Sequence, residues 1–319
     1  MRSVDLLMTS PILPIVSEEL QRSFTLHRLW EHENEDRFLS EVAPRVRGVV
    51  TSSASGYLGA AFFERLPHLE IVASFGAGFD NIDAAEATRR GIVVTNTPGV
   101  LDEDVADLAV ALLLATLRQI PQADRFVRAG KWLEAPFPLS PTLRGRNVGI
   151  VGLGRIGKAI ARRLEGFGVS IGYHGRTRQP DAIYTYHSTL LGLATNCDLL
   201  VVVAPGGEAT RHLIDAHILE ALGPTGVLIN VSRGSVVDER ALITALRNGT
   251  IQAAGLDVYE DEPRVPQDLV TLKNVVLLPH IGSATVYARN AMARLLVDNV
   301  ISWFSGTGAL TPILAHTTS

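Results

Sequence analysis

The sequence predicts an α/β protein made of two doubly wound parallel-sheet domains. Apolar runs alternate with amphipathic segments along the 319 residues, a long segment rich in Ala, Leu and Val interrupts this alternation once, and a glycine-rich turn opens its second part. Strands that alternate with helical segments are typical of parallel sheets covered by helices on both faces. Because domains usually span ~100–200 residues, the length also favours two domains.

The first alternation occupies the first third of the chain. Its predicted strands are Val4–Thr9, Phe24–Leu29, Gly48–Thr51, Ile71–Ser74 and Val93–Thr95. The amphipathic segments between them are predicted helices, among them Glu33–Val42, Tyr57–Arg65 and Ala84–Arg89. The segment Asp104–Leu117, flanked by Pro98-Gly99 and Pro121, predicts a buried helix that links the two halves.

The second alternation predicts a complete dinucleotide-binding sheet, which has six strands. The six apolar runs are Asn147–Val151, Val169–Tyr173, Leu199–Val203, Val227–Val231, Ala253–Val258 and Val275–Leu278. A final helical segment, Tyr287–Phe304, can return the chain to the first domain. We therefore expect a discontinuous first domain, 1–98 with 287–319, and an inserted second domain, 99–286.

Composition narrows the class of protein. Hydrophobic residues make up 46% and charged residues 19%, so the chain can bury a large core. The formal net charge of −4 and a pI near 6.1 argue against an extended nucleic-acid-binding surface. The single cysteine, Cys197, excludes a multi-cysteine zinc site, and we expect no metal. No signal peptide and no apolar stretch of membrane-spanning length is evident, so we expect a cytoplasmic protein without membrane contact.

The turn Gly152-Leu153-Gly154-Arg155-Ile156-Gly157 fits the pattern G-x-G-x-x-G. It follows a predicted strand and opens a predicted helix, which is the context that phosphate binding requires. Gly152 would permit the tight turn, Gly154 would let the pyrophosphate approach the backbone, and Gly157 would let the helix pack on the strand. The alternative is a glycine-rich turn that binds nothing.

The residues after the next strand indicate which cofactor is bound. An NAD site usually places a carboxylate there for the ribose 2′-hydroxyl. This chain has Arg176-Thr177-Arg178 instead, and its first carboxylate is Asp181. Guanidinium groups pair with phosphate, so we expect NADPH, with NADH bound more weakly. The alternative is a solvated arginine-rich loop.

Three polar side chains follow strands of the second sheet. Arg233 follows Val227–Val231, Glu262 follows Ala253–Val258, and His280 follows Val275–Leu278. Open α/β sheets build their sites at these carboxyl ends. Each residue also has a structural alternative, as a strand cap, a solvated acid or a core histidine. Their joint placement beside a dinucleotide site favours catalysis.

This set suits the reduction of a 2-oxo acid. An arginine pairs well with a planar carboxylate. Reduction needs a proton at the carbonyl oxygen when hydride reaches carbon, and histidine is suited to deliver it near neutral pH. A neighbouring glutamate would hold the imidazole in one orientation.

These motifs, taken in order, resemble those of the D-isomer-specific 2-hydroxyacid dehydrogenases. The similarity covers nearly the whole chain, and the family's Arg, Glu and His match Arg233, Glu262 and His280. It implies a flavodoxin-like substrate domain and a Rossmann coenzyme domain with the active site in the cleft between them. The remaining segments that carry it are Gly76–Asp83, Asp104–Arg118, Gly145–Gly157, Asn230–Gly234, Gly255–Pro263, Pro279–Thr285, Asn299–Phe304 and Gly306.

The resemblance also implies contacts. Backbone N–H groups of Ala77 and Gly78 should bind the substrate carboxylate together with Arg233, and Ser283 is a further candidate. Val105 should pack near the nicotinamide, and Asp257 should meet its carboxamide. The full set of expected cofactor contacts is Val105, Gly152, Gly154, Arg155, Ile156, Gly157, Arg176, Thr177, Arg178, Pro205, Thr210, Val231, Asp257, His280 and Gly282.

Within the family, the chain looks most similar to NADPH-dependent glyoxylate/hydroxypyruvate reductases. Its short length and its Arg176–Arg178 cluster carry that similarity. Trp132 lies where family members cross to a partner subunit, which implies a homodimer. Two alternatives stay open. One is the same fold acting on phosphite or a larger 2-oxo acid, and the other is a non-catalytic, NAD(P)H-sensing corepressor.

Overall fold

The computed structural model describes residues 4–53 and 55–313, and these form two parallel-sheet units. The strands, numbered along the chain, are β1 Val4–Met8, β2 Phe24–Arg28, β3 Val46–Ser52, β4 Ile71–Phe75, β5 Val93–Thr95, β6 Asn147–Val151, β7 Ser170–His174, β8 Thr185–Tyr186, β9 Leu199–Val202, β10 Val227–Asn230, β11 Ala253–Leu256 and β12 Val275–Leu277.

Helices cover both sheets. The α-helices of the described residues are α1 Pro14–Leu20, α2 Glu35–Val42, α3 Ala60–Glu64, α4 Ala84–Arg89, α5 Asp102–Leu117, α6 Ile120–Arg128, α7 Arg155–Leu164, α8 Leu190–Thr195, α9 Ala216–Leu222, α10 Glu239–Asn248, α11 Gln267–Val270 and α12 Val286–Phe304. Short 3-10 turns occur at Leu29–Glu31, Lys131–Leu133, Glu165–Phe167, Glu208–Thr210 and Gly234–Val236.

The first unit comprises the described residues of Met1–Leu101 and Thr285–Ser319. Its five strands are all parallel and lie in the order β2-β1-β3-β4-β5, which is the flavodoxin-like order. Connections from β1 and β3 leave in opposite directions along the sheet, so the topological switch point lies between these two strands. The core packs Leu7, Val49 and Val72 from adjacent strands against the covering helices.

Helix α12 belongs to this first unit although it comes from the far end of the chain. It packs on β4 and α1 and buries one face that includes Met292, Leu296 and Val300. Asn299 is fully buried, and its carboxamide oxygen accepts from the N–H groups of Leu310 and Thr311 at 3.0 and 2.9 Å. The segment after α12 is thereby held against its own helix.

The second unit comprises Asp102–Ala284. Its seven strands are all parallel and lie in the order β8-β7-β6-β9-β10-β11-β12, which is the Rossmann order extended by one strand. The six predicted strands all form, as β6, β7, β9, β10, β11 and β12. The seventh strand, β8, lies at the edge of the sheet and was not predicted. It has only two residues, so it carries no periodic signal that sequence analysis could detect.

Helix α5 lies close against the second sheet because Gly255 of β11 has no side chain. A Cβ added to Gly255 on β11 would lie 2.4 Å from Oγ1 of Thr116 and 2.9 Å from Cγ of Leu112. The Thr116 hydroxyl donates to the Leu112 carbonyl at 2.7 Å, so its polar atom is satisfied within the helix. No helix of the described residues is both long and apolar enough to cross a membrane.

Candidate active site

The glycine-rich turn connects β6 to α7 at the topological switch point of the second sheet, beside the end of β9. Gly152 has φ +99°, and a Cβ there would lie 3.0 Å from the backbone of Ala204. A Cβ on Gly157 would lie 2.1 Å from the Gly152 carbonyl oxygen. Both positions therefore require glycine for packing within the protein.

Gly154 differs from the other two glycines. It is the N-cap residue of α7, and a Cβ added there would meet nothing within 4 Å. Packing does not explain its lack of a side chain, whereas a phosphate group above the helix N-terminus would. This open cradle, together with an N-terminus that no side chain caps, fits a dinucleotide.

Arg155 and Ile156, both predicted to contact the cofactor, lie in the first turn of α7. Nε of Arg155 is 3.2 Å from a carboxylate oxygen of Asp102, so the guanidinium forms an ion pair within the unit. Ile156 is half-buried. Arg155 thus has a structural partner in addition to any role toward a cofactor.

The arginine-rich loop follows β7, as predicted. Arg176, Thr177 and Arg178 are all exposed, and neither guanidinium forms an ion pair with any described residue. Asp181, the first carboxylate beyond them, pairs with Lys158 at 2.7 Å. The hydrogen bond from Lys158 lowers the pKa of Asp181, so this acid is ionised and already has a partner.

The loop after β9 is held together by its own hydrogen bonds. The Thr210 hydroxyl donates to the Pro205 carbonyl at 2.7 Å, which places both expected contacts in one turn. Val231 follows β10 and is buried, and its N–H donates to the Val202 carbonyl at 3.2 Å.

His280 and Glu262 are brought together as predicted. Nδ1 of His280 lies 2.6 Å from Oε2 of Glu262, and Oε1 of Glu262 accepts from the Tyr259 N–H at 3.0 Å. The hydrogen bond occupies Nδ1, so Nε2 is the ring nitrogen that it leaves for other contacts. His280 has φ +53°, which few residues other than glycine adopt, so its backbone conformation is specialised.

The charge state of Glu262 follows from its surroundings. Burial opposes ionisation, but the hydrogen bond and charge of His280, the Tyr259 N–H and the nearby charge of Arg233 together outweigh it. The pKa of Glu262 is therefore lowered. A carboxylate ionised at neutral pH can hold the imidazole in a fixed orientation.

Arg233 is positioned by residues that sequence analysis did not single out. The buried Asn230 amide donates to the Arg233 carbonyl at 3.0 Å, and its oxygen accepts from Ser232. A Cβ on Gly234 would lie 1.8 Å from the Tyr259 carbonyl carbon. An Asn at the end of an apolar strand with a Ser two residues later is a turn signal that could have revealed Asn230.

Asp257 binds the turn that follows His280. Its two carboxylate oxygens accept from the N–H groups of Ile281 and Gly282, each at 2.8 Å. Burial raises the pKa of this carboxyl, and the two N–H donors offset only part of that effect. A Cβ on Gly282 would lie 3.5 Å from the Val105 side chain, so three expected cofactor contacts, Asp257, Gly282 and Val105, lie together.

Two further residues were missed. The Tyr259 hydroxyl donates to the Leu278 carbonyl at 2.9 Å, which joins the ends of β11 and β12. His212 pairs through Nε2 with the Glu260 carboxylate, and its N–H donates to the Ser235 carbonyl at 2.8 Å. These bonds tie the loops after β9, β10 and β11 to one another.

Ala77, Gly78 and Ser283 are the remaining residues predicted to contact the substrate. Ala77 and Gly78 follow β4 in the first unit, and the Ala77 carbonyl accepts from the Asn96 amide at 2.7 Å. Ser283 is half-buried in the second unit, in the turn after Gly282.

Comparison with known proteins identifies the family. The model of the D-isomer specific 2-hydroxyacid dehydrogenase, NAD binding domain, matches residues 110–282, which is more than half of the chain. The chain belongs to the D-isomer-specific 2-hydroxyacid dehydrogenase family. This confirms the predicted family and, with it, a nicotinamide dinucleotide as the cofactor.

Individual relatives match almost end to end. A glyoxylate/hydroxypyruvate reductase of Arabidopsis thaliana is 48% identical over 98% of this chain and 100% of its own. A 2-ketogluconate reductase of Gluconobacter oxydans is 43% identical over 97% of this chain and 98% of its own. The crystal structure of an NADPH-dependent glyoxylate/hydroxypyruvate reductase from Sinorhizobium meliloti, in complex with NADP and malonate, shares 52% identity. It superposes with a TM-score of 0.91 over 97% of this chain and 96% of its own.

Gly157, which packs against backbone, and Gly154, which does not, should respond differently to substitution by alanine. Gly157→Ala should lower the free energy of unfolding by about 3 kcal/mol, the upper part of the overpacking range, because its Cβ meets backbone. Gly154→Ala should change that free energy by less than about 0.5 kcal/mol yet weaken dinucleotide binding about tenfold or more. Urea unfolding and titration of dinucleotide fluorescence measure the two effects. Equal losses of stability would contradict the distinction.

Proposed function

We propose that this protein is an NADPH-dependent reductase of small 2-oxo acids, with glyoxylate and hydroxypyruvate as its substrates. The observation that carries the proposal is the 2.6 Å hydrogen bond between His280 and Glu262, on the same unit as Arg233 and the open Gly154 cradle. The names of the relatives from Arabidopsis thaliana and Sinorhizobium meliloti support the substrate class.

His280, Glu262 and Arg233 have different roles in this reaction. Nε2 of His280 donates a proton to the carbonyl oxygen of the substrate. Glu262 holds the ring through Nδ1 and balances its charge, because its own carboxyl is ionised. Arg233 pairs with the substrate carboxylate and polarises the carbonyl. N–H groups of Ala77 and Gly78 supply further donors to that carboxylate.

The glycine-rich turn and the loops beside it would hold the cofactor. Gly152, Gly154 and Gly157 shape the turn for the pyrophosphate, and Arg176 and Arg178 flank the position of a 2′-phosphate. The side chains of Val105 and Asp257 would border the nicotinamide. When bound, the cofactor supplies the hydride that reduces the 2-oxo carbon.

We also propose domain roles and a cytoplasmic location. Residues 1–98 with 287–319 would bind the substrate, and residues 99–286 would bind the cofactor. The single cysteine, Cys197, fits a reducing compartment.

Oxidation of NADPH and NADH, followed at 340 nm with glyoxylate, hydroxypyruvate, pyruvate and phenylpyruvate, tests the function directly. Turnover of the two smallest polar acids with NADPH preferred is the expected result. A lack of turnover with all four acids and either cofactor would reject it, and would favour phosphite oxidation or a non-catalytic sensor instead.

Loss of the proton donor should leave a folded, cofactor-binding protein with little activity. Asn tolerates the positive φ of residue 280, so His280→Asn should reduce kcat by about 10²–10⁴-fold while the Kd for NADPH changes little. His212→Asn is the matched control, because His212 also has a positive φ, of +49°, and also pairs with a glutamate. The control His212→Asn should lower kcat by less than about tenfold. An undiminished kcat in His280→Asn would refute His280 as the proton donor.

The arginine loop should decide between the two cofactors. Replacing Arg176 and Arg178 together by Gln should raise the KM for NADPH by about tenfold or more, since charge-assisted bonds to phosphate are lost, and should leave the KM for NADH nearly unchanged. Arg240→Gln, at an exposed arginine of α10, serves as the control. Equal effects on both cofactors would refute a 2′-phosphate contact.

We propose a homodimer built on the exposed apolar residues of α6 and the segment after it. Val127, Trp132, Leu133 and Leu139 are 55%, 68%, 94% and 100% exposed, and no residue of α6 is buried. Sedimentation should give about twice the chain mass of 34.4 kDa. Val127→Asp should shift it toward the monomer, whereas Ile183→Asp, at an equally apolar exposed site elsewhere, should not. A monomeric wild type would contradict the dimer.

A further inference from the structure

Arg289 is a half-buried arginine of the first unit that has no ionic partner. It lies on α12, and none of the described residues forms an ion pair or a side-chain hydrogen bond with its guanidinium. Among the described arginines of this unit, Arg289 and the exposed Arg294 lack an ion pair, and the others have one. Nη2 of Arg90 lies 3.0 Å from Glu64, and Nε of Arg45 lies 3.2 Å from Asp5. Of these two, Arg289 is the half-buried one, so its unpaired guanidinium calls for an explanation.

Leaving this charge unpaired has an energetic cost. Burial lowers the pKa of Arg289, and no neighbouring carboxylate offsets the effect. Partly buried charges are normally compensated by an ion pair, a hydrogen-bond network or a ligand. The described residues supply neither of the first two, so only solvent and the ring of Phe75 offset this cost, and an oxygen-rich ligand would offset more of it.

One aromatic ring contacts the guanidinium of Arg289. Its Cζ lies 5.7 Å from the ring centroid of Phe75, a cation–π contact. Stacking occupies one face of the planar group and leaves the N–H donors at its edge available. Phe75 is the last residue of β4, directly before Gly76-Ala77-Gly78. The guanidinium thus contacts the residue that directly precedes the turn proposed to bind the substrate carboxylate.

The neighbouring strand ends carry hydroxyl groups and no carboxylate that pairs with Arg289. Oγ1 of Thr9 lies 2.8 Å from Oγ1 of Thr51, and Oγ of Ser55 lies 2.8 Å from Oγ of Ser10. These groups close the ends of β1 and β3, which flank the switch point of the first sheet, where ligands of open α/β sheets bind. This edge is polar without being acidic, so it suits an oxygen-rich ligand.

We infer that Arg289 binds the oxygen substituent on the third carbon of the substrate, and so selects 2-oxo acids that carry a hydroxyl group there over those with an alkyl group. The carboxylate of the same molecule would lie on the Ala77–Gly78 turn. This inference rests on the proposed function and adds a specificity-determining residue to it. Glyoxylate has no third carbon and makes no use of Arg289.

Two substrates of equal size distinguish the loss of a contact between Arg289 and the substrate hydroxyl from a general loss of activity. Hydroxypyruvate and 2-oxobutyrate have the same number of heavy atoms and differ in a terminal hydroxyl versus methyl. In Arg289→Met, kcat/KM for hydroxypyruvate should fall about 10- to 100-fold, the range for a lost hydrogen bond to a charged group, while 2-oxobutyrate and glyoxylate lose no more than about threefold. Arg289→Lys should recover part of the preference.

Arg294→Met is the matched control, because Arg294 is exposed on the same helix. It should preserve the preference for hydroxypyruvate over 2-oxobutyrate. An unchanged preference in an Arg289→Met enzyme that still reduces glyoxylate would overturn the inference alone, as would equal losses with all three substrates. A wild type that does not reduce glyoxylate would overturn the proposed function and this inference with it.

Discussion

The geometry of the candidate active site depends on the carboxylate of Glu262. One oxygen accepts from the Tyr259 N–H and the other from Nδ1 of His280, so the side chain has a single orientation and fixes that of the imidazole. The arrangement requires the chain at Gly234 to pass against the backbone of Tyr259, where a Cβ would come within 1.8 Å of a carbonyl carbon. The same approach brings the charge of Arg233 near Glu262, which helps to keep that carboxyl ionised.

Charge pairing identifies the cations that have a structural partner within the protein. Arg155 pairs with Asp102, and Lys158 with Asp181, so these cations stabilise the second unit whether or not a cofactor is bound. Arg176 and Arg178 have no such partner among the described residues, and neither does Arg289 in the first unit. The desolvation cost is smallest for the exposed pair and largest for Arg289, which makes the last the stronger indication of a ligand.

Much of the fold could be predicted because it is encoded in local periodicity. Runs of apolar residues located eleven of the twelve strands, and the strand β6 and its glycine turn agree with the prediction to the residue. Errors arose where the local signal is weak or absent. The two residues of β8 pair only because β7 lies beside them. Several predicted strands end one or two residues early, although the N–H groups of Val203, Val231 and Leu278 still donate to the neighbouring strand.

The sequence by itself determined the family, the glycine turn and the three polar residues, since each rests on residue type and order along the chain. Tertiary structure alone decided how they are held. Asn230 acts through its side-chain amide, and Gly234 and Tyr259 act through backbone groups that come together from separate loops. Such contacts leave no periodic trace. The isolation of Arg289 was equally hidden, because a missing partner becomes visible only when the side chains around a guanidinium have been placed in space.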